Sequence, residues 1–335
     1  MKGCNLLRDA WTLAIEALSW IELQRLGERL ALTKAAKQLG IKDPKAVGTA
    51  HKLVFETIRR KNLLDTMINH VLAPRSISDF RLGLRAFLRL YTFEAKFVGG
   101  DVDKAAAIAD MGRSVLGWRE LSDVEEVLGE ILNIHVDDVV KKAGSDEERV
   151  ALTTYHPPWF VKYCFQLLGR SEALLFLESA TQPQPTYVRV NTLRAPEEKC
   201  LEEMRNDGVV VEKETGLKHT YKVVDSEKPL VRTRSFRSGL FYIQDKASCI
   251  AAEVANPEAG ATVLDVCAAP GAKTTYMAQL MENRGIIYSV DYSTRRMSVW
   301  KREIERMGVE IALPIVADAR KPLPTKFEAD LLVLD

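Results

Sequence analysis

The sequence predicts a multidomain protein in which an all-α domain precedes a small α+β subdomain and an α/β domain. Three observations support this fold class. Apolar residues recur at helical spacing through the first 140 residues, helix and strand patterns mix in the next ninety, and strands then alternate with helices as in a doubly wound parallel sheet. The predicted domain boundaries are 1–143, 150–238 and 239–335.

The first domain is predicted from apolar side chains that fall on one face of successive helices. Leu6, Ala10, Leu13, Ala17 and Ile21 show this spacing. Further helices are expected near residues 46–58, 63–71, 80–96, 102–116 and 122–133. Residues 141–148 are polar and contain Gly144 and Ser145, which is typical of a domain boundary.

The second domain is predicted from shorter segments of both kinds. Helices are expected near 158–168 and 196–206, and strands at Tyr187–Asn191, 209–212 and 221–224. From Gly239 onward predicted strands alternate with predicted helices, which is typical of a parallel sheet.

The most informative segment is residues 261–275, where a strand, a tight turn and a helix follow one another. Val263–Val266 form the apolar strand, Pro270 and Gly271 break it, and a helix is expected from Thr274 to Met281. The turn contains Ala268, Ala269, Gly271 and Ala272. Because these side chains are small, backbone N–H groups can approach a ligand at the helix N-terminus.

An aspartate follows each of the next three predicted strands. The strands are 286–290, 311–316 and 331–334, and the acids are Asp291, Asp318 and Asp335. The carboxyl ends of parallel strands meet at one edge of the sheet, where a carboxylate can accept two ribose hydroxyls. Such acids can instead cap the next helix, but three in this order favour ligand binding.

These segments resemble the RNA 5-methylcytosine methyltransferases of the RsmB/Nop/Sun family. The resemblance lies in residues 267–274 (CAAPGAKT), 239–248, 290–293, 317–320 and 332–335. It implies a Rossmann-like class I methyltransferase fold, with the first four strands present, and S-adenosylmethionine (SAM) as cofactor. Residues 46–96 similarly resemble the NusB-type RNA-binding domain of RsmB. The implied substrate is RNA, with rRNA as the first expectation and tRNA as an alternative.

The resemblance also implies roles for individual residues. Asp291 would bind the ribose, Asp318 would lie near the adenine, and Asp335 would lie beside the methyl group and the target base. Lys273 would reach the target cytosine, and Gln244 and Asp245 would flank the methionine end or cap the next helix. The implied SAM-binding set is Cys267, Ala268, Ala269, Pro270, Gly271, Ala272, Lys273, Asp291, Asp318 and Asp335.

The sequence departs from the family in two places. Ala272 replaces a usual glycine, which is tolerated if its φ is negative. The two family cysteines that follow the fourth strand, one of them the nucleophile, are absent from the 335 residues. The chain as written is therefore expected to be inactive. Cys267 is not expected to replace the nucleophile, because after a buried strand a cysteine is usually an inert small hydrophobic residue.

Two other functions remain open. A nicotinamide-dependent oxidoreductase uses the same strand–turn–helix unit, but the G-x-G-x-x-G pattern is missing here. The other alternative is not an enzyme: it is a NusB-like RNA-binding or assembly protein whose methyltransferase half is a relic.

Basic residues suggest where RNA would bind. Residues 1–96 hold seventeen Lys and Arg against nine Asp and Glu, whereas residues 97–150 hold six against thirteen. Arg81, Arg85 and Arg89 are spaced as a stripe on one helix, which could follow phosphates or simply face solvent. Other candidates are Arg59 and Arg60, and also Arg232, Arg234 and Arg237 with Phe236 as a stacking ring.

Composition excludes some classes of protein. No apolar stretch reaches the length of a membrane span, and five scattered cysteines without C-x-x-C spacing indicate neither a disulfide framework nor a metal site. A cytoplasmic monomer without membrane association is therefore expected.

Overall fold

The computed structural model describes residues 2–99, 102–323 and 326–335, and the side chains from Leu6 onward within these ranges. The chain divides into two compact units, one that ends at Pro183 and one from Gln184 to Asp335. Among the described residues the first unit is helical and the second contains two four-stranded sheets. The predicted sequence of fold classes, helical first and α/β with a parallel sheet last, is confirmed.

Two helices of the first unit begin at residues whose side chains cap them. Asp43 accepts hydrogen bonds from the backbone N–H groups of Lys45 and Ala46, and Ser145 accepts one from Glu148. The helices are α1 Lys2–Gln24, α2 Glu28–Leu39, α3 Pro44–Arg59, α4 Lys61–Leu72, α5 Leu82–Phe93, α6 Val102–Leu116, α7 Trp118–Leu121, α8 Glu125–Asn133, α9 Val136–Lys141, α10 Asp146–Thr154, α11 Pro158–Leu168 and α12 Arg170–Thr181.

One apolar core joins α1 to the helices around it. Trp11 on α1 packs against Phe87 on α5, with ring centroids 6.1 Å apart. Phe87 in turn lies against Gly112 on α6, where an added Cβ would stand 2.4 Å from the ring. Helix α6 can approach α5 closely because residue 112 has no side chain.

Helices α10, α11 and α12 belong to the first unit. The observed division after Pro183 therefore falls inside the predicted subdomain 150–238. Leu152 on α10 packs in one cluster with Leu63 and Met67 on α4. Asn62 adds two hydrogen bonds, because its amide donates to the carbonyls of Ala151 and His156 at 2.9 and 2.6 Å. The predicted helix 80–96 also differs: α5 ends at Phe93 and continues as a π-helix over Glu94–Val98.

The second unit contains a small antiparallel sheet and a parallel sheet. The antiparallel sheet is formed by β1 (Tyr187–Val190), β2 (Val209–Lys213), β3 (Thr220–Ser226) and β4 (Phe241–Ile243), in the order β2-β3-β1-β4. Strand β4 lies beyond the predicted boundary at residue 238. The elements are β1 Tyr187–Val190, α13 Glu197–Asn206, β2 Val209–Lys213, β3 Thr220–Ser226, α14 Arg234–Arg237, β4 Phe241–Ile243, α15 Lys246–Ala255, β5 Thr262–Val266, α16 Ala272–Leu280, β6 Ile286–Asp291, α17 Thr294–Met307, β7 Ala312–Val316 and β8 Leu331–Leu334.

The parallel sheet has the order β7-β6-β5-β8, so β5 lies between two partners. Val266 at the end of β5 is in register with Val290 on β6 and with Leu334 on β8. The carboxyl ends of the strands therefore lie side by side. On one face, Val263 and Ile287 pack against Tyr276 on α16 and Trp300 on α17. On the other, Tyr288 stacks on Phe327 with centroids 3.9 Å apart.

A buried arginine connects the two sheets of this unit. Arg189 on β1 is fully buried and donates to Gln244 Oε1 at 2.9 Å, to Thr275 Oγ1 at 2.8 Å and to Gln279 Oε1. Its guanidinium also lies over the ring of Tyr276, 4.6 Å from the centroid. Burial lowers the pKa of Arg189 to about 10.

Candidate functional site

The turn between β5 and α16 lies at the edge of the parallel sheet, and the N–H groups of Ala268 and Gly271 donate within the protein, to the carbonyls of Val290 and Ala268. The chain reverses through Cys267, whose φ is +67°, and Gly271, whose φ is +109°. Gly271 is the N-cap of α16, and a Cβ there would lie 3.2 Å from the Trp300 ring. Only glycine adopts this conformation without strain. The helix N-terminus is thus open to an approaching ligand.

Asp291, the last residue of β6, places a buried carboxylate beside this turn. Its side chain is 0% exposed. It accepts hydrogen bonds from the N–H groups of Ala269 at 3.3 Å and Ser293 at 3.1 Å, and Arg296 Nη1 lies 3.0 Å from its Oδ2. The carboxylate is therefore held in place next to the turn.

Two adjoining pockets open at the ends of the strands. The larger has a volume of about 660 Å³ and is lined by residues that follow β6 and β7, including Asp291, Tyr292 and Asp318. The smaller, about 170 Å³, is lined by the turn from Val266 to Pro270 together with Asp265, Ala272, Lys273 and Asp335. Cys267 and Arg296 line both pockets. The volume of the larger pocket is in the range of small-molecule sites.

The smaller pocket brings Lys273 and Asp335 together as an ion pair. Lys273 lies in the first turn of α16, and Asp335 directly follows β8. The two residues that the resemblance places at the target base are thus in direct contact. Asp318 lies apart from them, on the rim of the larger pocket. Arg320 donates to both of its carboxylate oxygens and lowers the pKa of Asp318.

Asp265 is a second buried carboxyl group at this edge. It accepts a hydrogen bond from the Thr274 hydroxyl, and the Trp300 indole N–H lies 3.3 Å from the same hydroxyl oxygen. Burial raises the pKa of Asp265 to about 6, against the lowering effects of Thr274 and the nearby Lys273. Asp265 therefore changes charge at a higher pH than an ordinary aspartate.

The structure corrects the expectation for Cys267 and answers the question about Ala272. Cys267 is exposed, not buried, because the left-handed φ turns its side chain away from the strand direction. Ala272 begins α16 and is not among the residues with positive φ, so its methyl group is accommodated without backbone strain. Asp245 caps α15, whereas Gln244 holds Arg189.

Sequence reasoning missed three residues of the site, Asp265, Tyr292 and Arg296. Asp265 was treated only as part of an apolar strand. Tyr292 is largely exposed and lines the larger pocket next to Asp291. Arg296 lies five residues after Asp291, near the start of α17. This short spacing was the sequence signal that could have placed Arg296 close to Asp291.

With this geometry described, the chain can be compared with known proteins. Residues 252–335 match the family described as 16S rRNA methyltransferase RsmB/F, and residues 8–112 match the NusB family. The chain joins a NusB segment to an RsmB/F methyltransferase segment. The resemblance inferred from the sequence is thereby confirmed.

Similar proteins carry related names. The "Probable ribosomal RNA small subunit methyltransferase B" of Bacillus subtilis (strain 168) is 28% identical over 92% of this chain and 68% of its own length. The "Ribosomal RNA small subunit methyltransferase F" of Vibrio atlanticus (strain LGP32) is 39% identical over 47% of this chain and 35% of its own. The "25S rRNA (cytosine-C(5))-methyltransferase nop2" of Schizosaccharomyces pombe is 32% identical over 47% of this chain and 26% of its own.

A solved structure extends the similarity to the whole fold. The crystal structure of PH0851 has a TM-score of 0.68 and 26% identity, over 94% of this chain and 70% of that chain. The chain thus spans about two thirds of the methyltransferase B relative, about a third of the methyltransferase F relative and about a quarter of the nop2 protein. Within the described residues, no helix is both long and apolar enough to cross a membrane.

The arginine stripe of the NusB segment is not a free surface. Arg89 is only 7% exposed and is paired with Asp65 and Glu22, each at 2.6 Å. Arg85 is paired with Glu22 at 2.7 Å. Arg81 precedes α5 as its N-cap and is 86% exposed. The prediction of one phosphate-binding stripe is therefore wrong for Arg89, because its guanidinium already donates to two partly buried carboxylates.

Two more arginines of this segment hold the fold together. Arg59 donates to the carbonyls of Ala180 and Thr181. Arg60 pairs with Glu56, and its guanidinium lies 4.9 Å from the centroid of Phe97. Both side chains are partly buried and bonded within the first unit. These contacts argue against the predicted RNA-binding role of the pair.

The remaining candidates lie around α14 of the second unit. Arg232, Arg234 and Arg237 are exposed, as a phosphate contact requires. Phe236 is not a free stacking ring, because the Arg306 guanidinium lies 4.1 Å from its centroid and Phe241 contacts its edge. The three arginines are thus accessible for phosphate contacts, whereas the ring of Phe236 is already packed and does not serve as the predicted stacking partner for a base.

Proposed function

We propose that this chain provides the cofactor pocket and RNA-docking surfaces of a SAM-dependent RNA cytosine-C5 methyltransferase, with rRNA as the substrate class. One observation supports the cofactor most directly. The buried carboxylate of Asp291 stands beside the open N-terminus of α16, in an RsmB/F segment. The names of the similar proteins support the reaction and the substrate class.

The pocket fits a nucleoside that carries a charged tail. Asp291 would accept the ribose hydroxyls, and the larger pocket beside Tyr292 and Asp318 would hold the adenine. The backbone of residues 267–271 would approach the methionine portion, because a Cβ at Gly271 is strained and the neighbouring side chains are small. Bound SAM would supply an activated methyl group at the smaller pocket.

Lys273 and Asp335 define the end of the pocket where a target base would enter. Lys273 Nζ can donate a hydrogen bond to a base carbonyl, and Asp335 can accept one from an exocyclic amine. Their ion pair keeps both groups at the smaller pocket while no base is bound. A cytosine presents both complementary groups on its Watson–Crick edge. The base must be unstacked to reach them, which favours loops or locally opened RNA.

RNA docking would use exposed arginines. Arg232, Arg234 and Arg237 cluster around one short helix, and Arg81 is exposed at the start of α5. Guanidinium groups bind phosphate oxygens in this way without reading sequence. The three arginines around α14 would orient the RNA while the pocket selects the base. We place this activity in the cytoplasm, with the chain acting as a monomer.

The experiment that tests the function is bisulfite mapping of RNA from the source organism after deletion of the gene. We expect one or a few rRNA cytosines to lose protection from conversion. The intact gene should restore protection, and a copy with Asp291→Asn should not. An unchanged rRNA map in the deletion strain would refute the rRNA assignment, and loss of protection only in tRNA would redirect it to tRNA.

A further inference from the structure

Arg296 connects the two halves of the cofactor pocket. It lies on α17, with Nη1 3.0 Å from Asp291 Oδ2, and its other terminal nitrogen donates to the carbonyl of Ala269 in the turn. Its side chain is 45% exposed and lines both pockets, whereas the Asp291 side chain is 0% exposed. One planar group thus binds the end of β6 and the turn after β5.

The contacts of Arg296 have a feature that a surface ion pair lacks. Its partner carboxylate is buried, so the oxygens of Asp291 need hydrogen-bond donors from the protein: two backbone N–H groups and this guanidinium. The second contact holds a carbonyl of the turn itself. A guanidinium can make both bonds at fixed angles because its donors form a rigid fork, which a lysine ammonium does not.

We propose that Arg296 is a positioning residue for cofactor binding. It fixes the Asp291 carboxylate and the 267–271 turn relative to each other, so that the ribose acceptor and the turn backbone are in place before the ligand arrives. The inference rests on the proposed SAM function. Arg296 acts through Asp291 and Ala269, so its effect on affinity depends on the carboxylate being present.

The test is calorimetric titration of the 335-residue chain with SAM. For Arg296→Gln we expect the Kd to rise about tenfold, the loss typical of one charge-assisted hydrogen bond. Arg296→Lys should recover part of the affinity, because it keeps the charge but not the fork. The matched control is Arg295→Gln, an exposed arginine of the same helix that does not line the pockets, and its Kd should match the wild type.

A double-mutant cycle separates positioning from a general structural effect. In the Asp291→Asn background, Arg296→Gln should change the Kd by less than about twofold, because Arg296 links the turn to the end of β6 only while the Asp291 carboxylate is present. The same tenfold loss in both backgrounds would overturn the inference. So would an unchanged or tighter Kd for Arg296→Gln alone, since tighter binding would mean that Arg296 competes with the ribose.

Failure of the inference is distinguishable from failure of the proposed function. If the wild-type chain does not bind SAM, the proposed function is refuted and the role of Arg296 falls with it. If the wild type binds and Arg296→Gln binds equally well, only the positioning role is refuted. Thermal unfolding of each variant checks folding, and the Arg296→Lys recovery is the readout that a purely structural role would not produce.

Discussion

At the scale of single residues, the two buried carboxyl groups of the site differ in what reaches them. Asp291 is held by two backbone N–H groups and a guanidinium, whereas the hydroxyl of Thr274 is the side-chain donor to Asp265. Burial raises the pKa of Asp265 to about 6. The neighbouring strand ends thus offer one acceptor that three donors hold in place and one group whose pKa is raised to about 6.

Asp265 makes the stability of the second unit depend on pH. In the unfolded chain an aspartate has a pKa of about 3.9, so between about pH 4 and 6 the folded protein keeps a proton that the unfolded chain has released. The free energy of unfolding therefore falls as the pH rises through this window, by up to about 3 kcal/mol. We expect Asp265→Asn to remove this fall, as measured by urea unfolding at several pH values.

The control for this prediction is Asp318→Asn, at an exposed carboxylate paired with Arg320. Because Arg320 lowers the pKa of Asp318, this variant should keep the wild-type slope between pH 4 and 6. Parallel curves for the wild type and Asp265→Asn would show that Asp265 does not hold its proton.

Cys267 offers a second prediction, because its backbone conformation is strained and its side chain is exposed. Cys267→Ser should leave the SAM Kd within about twofold, since the thiol is not buried. Cys267→Val puts a β-branched residue at φ +67° and should destabilise the unit by roughly 1–3 kcal/mol. Urea unfolding and SAM titration measure the two effects. A large loss of SAM affinity in Cys267→Ser would assign the thiol a direct role.

The residues of the turn and the strand-end acids could be predicted because they follow strands in a recognisable order. Asp265 and Arg296 could not be recognised as readily. An aspartate inside an apolar strand gives no sign of its partner, and Arg296 matters only because α17 begins right after Asp291. Exposure of Cys267 depended on one backbone angle, which the sequence does not specify.

At the scale of elements, α5 shows why a charge pattern can mislead. Arginines four residues apart lie along one face of a helix whether that face meets solvent or buried acids. The partners Glu22 and Asp65 belong to α1 and α4, far away in sequence. Helix positions were therefore predictable from apolar spacing, whereas the environment of a polar face depended on tertiary contacts.

The ion pairs of Arg89 predict a stability effect where an RNA effect was expected. Arg89→Met should cost about 3–5 kcal/mol in the first unit, because two partly buried carboxylates lose the buried guanidinium that they share. The control is Arg81→Gln, whose exposed pair with Glu120 should contribute less than about 1 kcal/mol. Urea unfolding followed by helical circular dichroism measures both. Equal stability of the two variants would contradict the structural role of Arg89.

At the scale of the whole molecule, the fold class was predictable and the boundaries were less so. The parallel strands appear where their apolar runs predicted them. The division at residue 183 differs because α10 to α12 pack with α4 through Leu152 and its neighbours. A contact of that kind between distant segments leaves no periodic signal in the sequence.

The exposed arginines near α14 yield a prediction for RNA binding. Replacing Arg232, Arg234 and Arg237 with Gln should weaken binding of single-stranded RNA and reduce the slope of log K against log salt by up to about one per lost phosphate contact. The Kd for SAM should not change, because these residues do not line the pocket. Fluorescence anisotropy at several salt concentrations measures the slope, and an unaltered slope would indicate a solvated surface.

The central claim is that the ends of β5 to β8 form a SAM pocket whose ribose acceptor is Asp291. Calorimetric titration of the chain with SAM and, separately, with NAD tests it most directly. We predict one SAM per chain, a Kd at least about tenfold weaker in Asp291→Asn because buried ribose hydroxyls lose their acceptor, and no measurable binding of NAD. Absence of SAM binding, an unchanged Kd in Asp291→Asn, or preference for NAD would contradict the account.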